Sequence, residues 1–331
     1  MESVEINKFV VASHSPRMLS TLLIVLPVFA LILAGWLVRK VGVMGPQSAS
    51  ELNRFVVYLA LPALLFDITA HAKFAEIWQP GFIATFTLSC VILFGLTLAL
   101  CWRRGRPLAD AAIDALASSY ANTGYMGFPL ALAVFGSSAM APTLIASLVT
   151  VCALFAVAIV LIEISLQSER QPARLILKVA TSLARNPLLL APALGALFPL
   201  RSTPIPAPMD SFLKMLGHAA SPCALVGLGL FLAEKRAPQA SQNELGPAVL
   251  IIGLKLLLQP LITWVLAVHV FALPPALAQP AILIAALPTG TGPFMLAEYY
   301  QRDAGVTAKV IIGSTVLSML TITAYLTFGR T

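Results

Sequence analysis

The sequence predicts an all-α integral membrane protein with ten transmembrane helices, arranged as two inverted five-helix repeats in which helices 4 and 9 are broken. Three observations support this fold class. Hydrophobic residues make up 59% of the chain and charged residues only 11%, whereas a soluble domain needs roughly 25% charged residues to cover its surface. Ten apolar spans follow one another, and prolines and glycines recur at matching places in the two halves.

Each apolar span is long enough to cross the hydrocarbon core, which takes about 20 residues of helix. The spans are predicted at 20–38, 52–70, 80–101, 111–135, 141–165, 175–198, 209–232, 246–271, 277–300 and 306–328. The segments between them contain glycine, proline and charged residues, which end helices. The loops are therefore short, and no room is left for a separate soluble domain.

Proline positions predict an internal repeat. Pro62 in span 2 recurs 160 residues later as Pro222 in span 7, and Pro129 in span 4 corresponds to Pro293 in span 9 at an offset of 164 residues. Each half holds five spans, an odd number, so the second half must enter the membrane from the opposite side. The predicted organisation is a first repeat at 1–166, a short cytoplasmic connection at 167–174 and a second repeat at 175–331. Inverted repeats with broken helices are typical of secondary transporters.

Lys and Arg are more frequent in the loops after the odd-numbered spans than on the other side of the membrane. The richer side is expected to be cytoplasmic. Both termini are then predicted to lie outside the cytoplasm.

The two broken helices predict the site. Polar residues, glycines and prolines interrupt the middle of spans 4 and 9, and backbone freed at that depth must be buried in protein or line a wet cavity. The two breaks are therefore expected to meet at a cavity. The predicted substrate-binding residues are those at the breaks: Asn122, Thr123, Gly124, Gly127, Pro129, Thr289, Gly290, Thr291, Gly292 and Pro293.

Helix polarity gives this site a charge preference. Proline suits the first turn of a helix, so the second half of each broken helix should begin near Pro129 or Pro293. Two positive helix ends then point toward the middle and favour an anion. The carbonyl ends of the first halves could hold a cation or a protonated group. The alternative is that each proline only kinks its helix.

Four segments resemble the auxin efflux carrier family: residues 52–66, 122–129, 221–229 and 286–300. The Asn-x-x-x-x-Gly-x-Pro pattern that ends at Pro129 and the Gly-x-x-Pro-Phe pattern that begins at Gly290 are the most specific parts. The resemblance runs over nearly the whole chain. The family includes bacterial carriers described as malonate or malate transporters.

This resemblance implies that helices 4 and 9 cross, that a scaffold domain supports them, and that organic anions move by an elevator-like motion. It implies that Asn122 contacts the substrate, that the chain is a multi-pass protein of the bacterial inner (plasma) membrane, and that a homodimer forms through the scaffold helices. Plant members carry a long cytoplasmic loop between the halves, which this chain lacks.

Several further residues are candidates for coupling or gating, because ionisable residues inside a membrane are costly and often functional. They are Ser118, Ser119, Glu298, Lys255 and Asp67. Three of them have a plainer interpretation: Glu298 reaches water at a helix end, Lys255 extends to an interface, and Asp67 anchors a helix end. The two serines lie one turn before Asn122 and are expected to line the cavity.

The resulting hypothesis is a secondary transporter that moves a small organic anion, a carboxylate, by alternating access. The alternatives are a sodium-coupled bile-acid-type symporter and a channel or sensor. No convergent catalytic set is evident, so an enzyme is not expected. Neither a metal site nor a cofactor is expected, since the histidines and cysteines lack ligand spacing. The expected partners are the anion and the lipid bilayer, not nucleic acid, with proton and sodium coupling both left open.

Overall fold

The computed structural model describes residues 26–27, 29–71, 78–167, 172–200, 204–233 and 245–328. Apart from short irregular or extended stretches such as those at Tyr120 and Asn186, these residues are helical or in turns, and the one β-bridge among them pairs Ala121 with Thr289. Six helices among them are long and apolar enough to cross a membrane. The prediction of an all-helical integral membrane protein is confirmed, whereas the count of ten spans and the inverted repeat stay predictions.

The first half of the described chain contains six helical elements, numbered here in chain order. They are α1 (29–40), α2 (Ser48–Ala70), α3 (Pro80–Arg103), α4 (Leu108–Ser119), α5 (Phe128–Phe135) and α6 (140–166). Wider π-helical turns interrupt α2 at Val56–Ala60 and α6 at Leu148–Leu154. Another π-helical turn, Thr123–Gly127, leads into α5.

The second half contains seven elements. They are α7 (Pro172–Arg185), α8 (Pro187–Leu200), α9 (Ala207–Leu232), α10 (Leu245–Val270), α11 (Pro275–Ala285), α12 (Gly292–Tyr299) and α13 (Gly305–Phe328). A π-helical turn at Leu254–Leu258 lies within α10.

One predicted span has different bounds in the structure. The span expected at 175–198 is divided at Asn186, whose backbone is extended and whose side chain accepts a hydrogen bond from the Leu188 N–H. Pro187 follows it, and a residue before proline is driven out of the helical region. An asparagine cap and a proline at the first helical position both begin a new helix, so α7 and α8 are separate.

Burial divides the helices into an inner and an outer set. Every residue of α4 from Ala111 to Ser119 is buried, and so is the second half of α11. By contrast, large apolar side chains of α3 and α10, such as Val91 and Leu257, are exposed. Exposed apolar faces of this extent are expected where a helix contacts lipid. The buried α4 and α11 are the elements that end at the two breaks.

Candidate functional site

The two breaks lie side by side and satisfy each other's backbone. α4 ends at Ser119, Tyr120 is extended, and Ala121 pairs with Thr289 in an antiparallel bridge. The Asn122 N–H donates to the Pro288 carbonyl at 2.9 Å, and the Gly290 N–H donates to the Tyr120 carbonyl at 3.0 Å. Backbone groups that proline and glycine release from the helices are thus paired inside the protein.

Two glycines let the breaks approach this closely. A Cβ atom on Gly290 would lie 2.8 Å from Cε1 of Tyr120, and one on Gly292 would lie 2.7 Å from Cζ of the same ring. The Tyr120 ring therefore packs directly on the backbone that precedes α12. Tyr120 was not a candidate from the sequence, because an aromatic residue next to a break has no distinguishing pattern until its partner is known.

A cavity of about 210 Å³ borders the paired breaks. α2, α6 and α9 complete its wall with apolar side chains and two serine hydroxyls, of Ser147 and Ser221. None of the described lining residues is charged, so a bound anion would have to rely on N–H groups, hydroxyls and the Asn122 amide.

The predicted binding residues divide into two groups. Five of them line the cavity: Asn122, Thr123, Gly124, Gly290 and Thr291. Thr123 Oγ1 is buried and has no hydrogen-bond partner among the described residues. Thr291 precedes α12 without capping it through its side chain, which leaves the first N–H groups of that helix to other partners.

The other five candidates lie at or next to the breaks. Thr289 is fully buried, and its hydroxyl donates to the Ala117 carbonyl at 2.7 Å. Gly127 faces the side chain of Leu287, while Gly292 and Pro293 are buried at the start of α12. Pro129 is the second residue of α5. A direct role in binding stays a prediction for all ten residues.

Lys255 and Gln259 of α10 hold the carbonyl ends of both first half-helices. Lys255 is fully buried, and its ammonium donates to Gln259 Oε1 at 2.6 Å and to the Ala285 carbonyl at 2.8 Å. Gln259 Nε2 donates to the Ser119 carbonyl at 3.3 Å. Ser119 ends α4 and Ala285 ends α11, so two side chains of α10 donate to the negative ends of both helices. The sequence indicated Lys255 but not Gln259, whose partner is remote along the chain.

The remaining coupling candidates occupy different surroundings. The Ser118 hydroxyl is 2.8 Å from the Thr97 hydroxyl, a hydrogen bond that joins α4 to α3. The Ser119 hydroxyl donates to the Ala115 carbonyl within α4. Glu298 is partly buried in the last turn of α12 and does not line the cavity.

Asp67 belongs to a separate cluster between α2 and α9. Its carboxylate is 3.0 Å from His71 Nδ1, and His71 Nε2 is 3.1 Å from Asp210 Oδ1. The ligand atoms of these three residues lie within 4.8 Å of one another, although Asp210 also pairs with Lys214. This group was not predicted, because Asp210 is distant from Asp67 and His71 along the chain. Asp67 thus connects two helices and does not line the cavity.

Comparison with known proteins identifies the family of this chain. Residues 21–326 match the family model described as membrane transport protein. The chain belongs to this family, that of the auxin efflux carriers. It is 32% identical over 307 residues to a protein of Rhizobium meliloti (strain 1021) named "Putative malonate transporter", covering 92% of this chain and 94% of that protein.

Two uncharacterized transporters are also similar to this chain. An uncharacterized transporter of Methanothermobacter thermautotrophicus is 28% identical over 300 residues, covering 90% of this chain and 95% of the relative. An uncharacterized transporter of Methanocaldococcus jannaschii is 24% identical over 306 residues, covering 90% and 96%. The family and these relatives are transporters rather than enzymes. The chain is therefore a multi-pass membrane transporter.

Proposed function

We propose that this transporter is a secondary carrier that moves a small organic anion, a carboxylate, by an elevator-like alternation of access. The observation that carries this proposal is the cavity at the paired breaks. Its lining includes the Thr123 hydroxyl, which has no partner among the described residues, and the Asn122 amide, and none of its described lining residues is a carboxylate that would repel an anion. The relative named for malonate transport supports the substrate class.

The proposed motion involves ten transmembrane helices in two inverted repeats, with helices 4 and 9 crossing at the breaks. In this proposal α4 with α5 is helix 4, and α11 with α12 is helix 9. The backbone bridge and the Lys255–Gln259 pair would keep the two together, so the site would move as one body past the remaining helices. The proposed environment is the bacterial inner membrane, with both termini outside the cytoplasm.

Uptake into proteoliposomes tests the site. We expect the purified protein to accumulate radiolabelled malonate or another short mono- or dicarboxylate with saturable kinetics and counterflow, and Asn122→Ala and Pro293→Ala to abolish uptake while the protein stays folded. Asn53→Ala is the matched control, because it removes a buried amide that does not line the cavity. Full transport by both Asn122→Ala and Pro293→Ala would contradict the proposed site.

Uptake into the same proteoliposomes also distinguishes the carrier from a sodium-coupled symporter and from a channel. A sodium-coupled symporter needs oxygen ligands near the breaks, but the Ser119 and Ala285 carbonyls already accept hydrogen bonds from Gln259 and Lys255. We therefore expect equal uptake in sodium and in choline buffers. Uptake that requires sodium would favour the symporter, and currents that do not saturate would favour a channel.

A further inference from the structure

A second concave surface lies next to the substrate cavity. This notch has a volume of about 480 Å³. Its polar lining consists of Glu163, Gln167, Thr181, Arg185, Asn186 and Tyr299. The residues come from α6, α7, the segment before α8 and the end of α12. The notch shares no lining residue with the cavity at the breaks.

The cavity and the notch meet adjacent turns of the same helix. Met295 of α12 lines the cavity, and Tyr299 of α12 lines the notch. Residues four apart in a helix lie on one face, about 6 Å apart along the axis. A single helical turn therefore separates the two spaces along α12.

Tyr300, which follows α12, is tied to two other elements at this level. Its hydroxyl donates to Glu163 Oε1 of α6 at 2.8 Å and accepts from Asn186 Nδ2, before α8, at 3.4 Å. Glu163 is only 9% exposed, so this carboxylate is withdrawn from water and the bond to it is a charge-assisted one. The neighbouring Tyr299 ring lies 5.7 Å from that of Tyr58 in α2.

We propose that the notch is an access vestibule of the substrate path, and that Tyr300, held by Glu163 and Asn186, keeps the passage between the notch and the cavity closed. This inference rests on the proposed function. A site that serves both membrane faces must open to each in turn, and the closed side needs contacts that break when it opens. Tyr300 makes such contacts between the helix of the second break and the elements α6 and α8. The exposed Arg185 in the notch gives the vestibule a positive group that attracts an anion.

Thiol labelling tests the vestibule without any substrate. Met295→Cys would serve as reporter in a variant whose four native cysteines are replaced by alanine or serine. A membrane-impermeant maleimide would be applied to the face carrying the notch, which the Lys and Arg distribution predicts to be cytoplasmic. We expect Tyr300→Phe to raise the labelling rate on the order of tenfold, the effect of losing one hydrogen bond to a charged acceptor.

Two further variants make this result specific. Tyr325→Phe is the matched control, because it removes a tyrosine hydroxyl that donates to the Gln279 carbonyl at 3.0 Å away from the notch. It should leave the labelling rate unchanged. Glu163→Gln keeps an acceptor but removes its charge, so it should raise the rate less than Tyr300→Phe does, and it stands in if Tyr300→Phe fails to fold.

The outcomes distinguish this inference from the proposed function. Unchanged labelling in both Tyr300→Phe and Glu163→Gln, or an equal rise in Tyr325→Phe, would overturn the vestibule whatever the substrate is. If Tyr300→Phe raises the labelling rate but no carboxylate slows the labelling, the vestibule is supported and the anion site is contradicted.

Discussion

Residue contacts at the breaks are tight enough that small changes in volume should matter. The Gly290 N–H donates to the Tyr120 carbonyl, and the Tyr120 ring packs against Gly290. Both the hydrogen bond and the ring contact require that residue 290 has no side chain. The Asn122 Cα atom would also lie 3.3 Å from a Cβ on Gly290. The position thus joins the packing of the breaks to the amide that lines the cavity.

We predict that Gly290→Ala lowers the free energy of unfolding by about 1–3 kcal/mol, the usual cost of overpacking a well-filled interior. It should also slow transport, since the bridge between the breaks must shift. Gly253→Ala is the control, because a Cβ there meets nothing within 4 Å and alanine is the better helix former. Reversible unfolding in mixed micelles measures the free energy of unfolding of both variants. Equal stability of the two variants would contradict the tight contact.

The residue types that the sequence could indicate are those that break a helix or carry charge within it. Asn122, Thr123 and Gly290 stand out because polar and flexible residues are unusual inside apolar spans, and they do line the cavity. Tyr120, Gln259 and Glu163 could not be indicated in the same way. Their importance rests on partners distant in the chain, which only the packing of helices reveals.

At the scale of elements, one helix stabilises the ends of two others. Lys255 and Gln259 are four residues apart and therefore lie on one face of α10, from which they reach the last carbonyls of α11 and α4. Helix ends buried without such partners are costly, because each orphan carbonyl loses its hydrogen bonds to water. We infer that α10 fixes the relative depth of the two breaks.

A double-mutant cycle tests this coupling. Lys255→Met and Gln259→Leu should each cost about 2–3 kcal/mol, since each leaves a buried carbonyl and a buried side-chain partner unpaired. The double variant should cost less than the two single variants together, by ~1 kcal/mol, because neither partner is left alone. Gln279→Leu on α11 serves as control for removing an amide outside this network. Strict additivity in unfolding experiments would rule out the coupling.

Element boundaries were predictable where apolar runs end in loops and where glycine and proline interrupt the middle of a span, but not where a single cap and proline divide one. The bounds of α3 agree closely with the span expected at 80–101. The span expected at 175–198 runs across the division at Asn186, although α7 carries Arg174, Lys178 and Arg185 while α8 is apolar. Hydropathy indicates whether a segment contacts lipid or water. A capping residue and a proline determine where the backbone hydrogen bonds of a helix end.

At the scale of the molecule, the two broken helices are joined at three depths. The backbone bridge joins them at the breaks, and Lys255 with Gln259 joins their carbonyl ends. Beyond α12, Arg302 forms a bidentate pair with Asp110 at the start of α4, at 2.7 and 2.6 Å, and this carboxylate raises the pKa of the Arg302 guanidinium. These ties would let α4, α5, α11 and α12 move as a unit.

Such a unit could serve both membrane faces if the two halves are inverted and exchange conformations, and inversion requires an odd number of spans in each half. The prediction is that the C-terminus lies outside the cytoplasm while the connection after α6 lies inside. A green fluorescent protein inserted after Gln167 should fluoresce in bacteria, whereas the same protein fused after Thr331 should not, because it does not fluoresce when exported. Alkaline phosphatase at the two positions should give the reverse pattern, since it is active only outside. If green fluorescent protein fluoresces at both positions, the second half crosses the membrane an even number of times. The inverted repeat would then be wrong, whatever the protein transports.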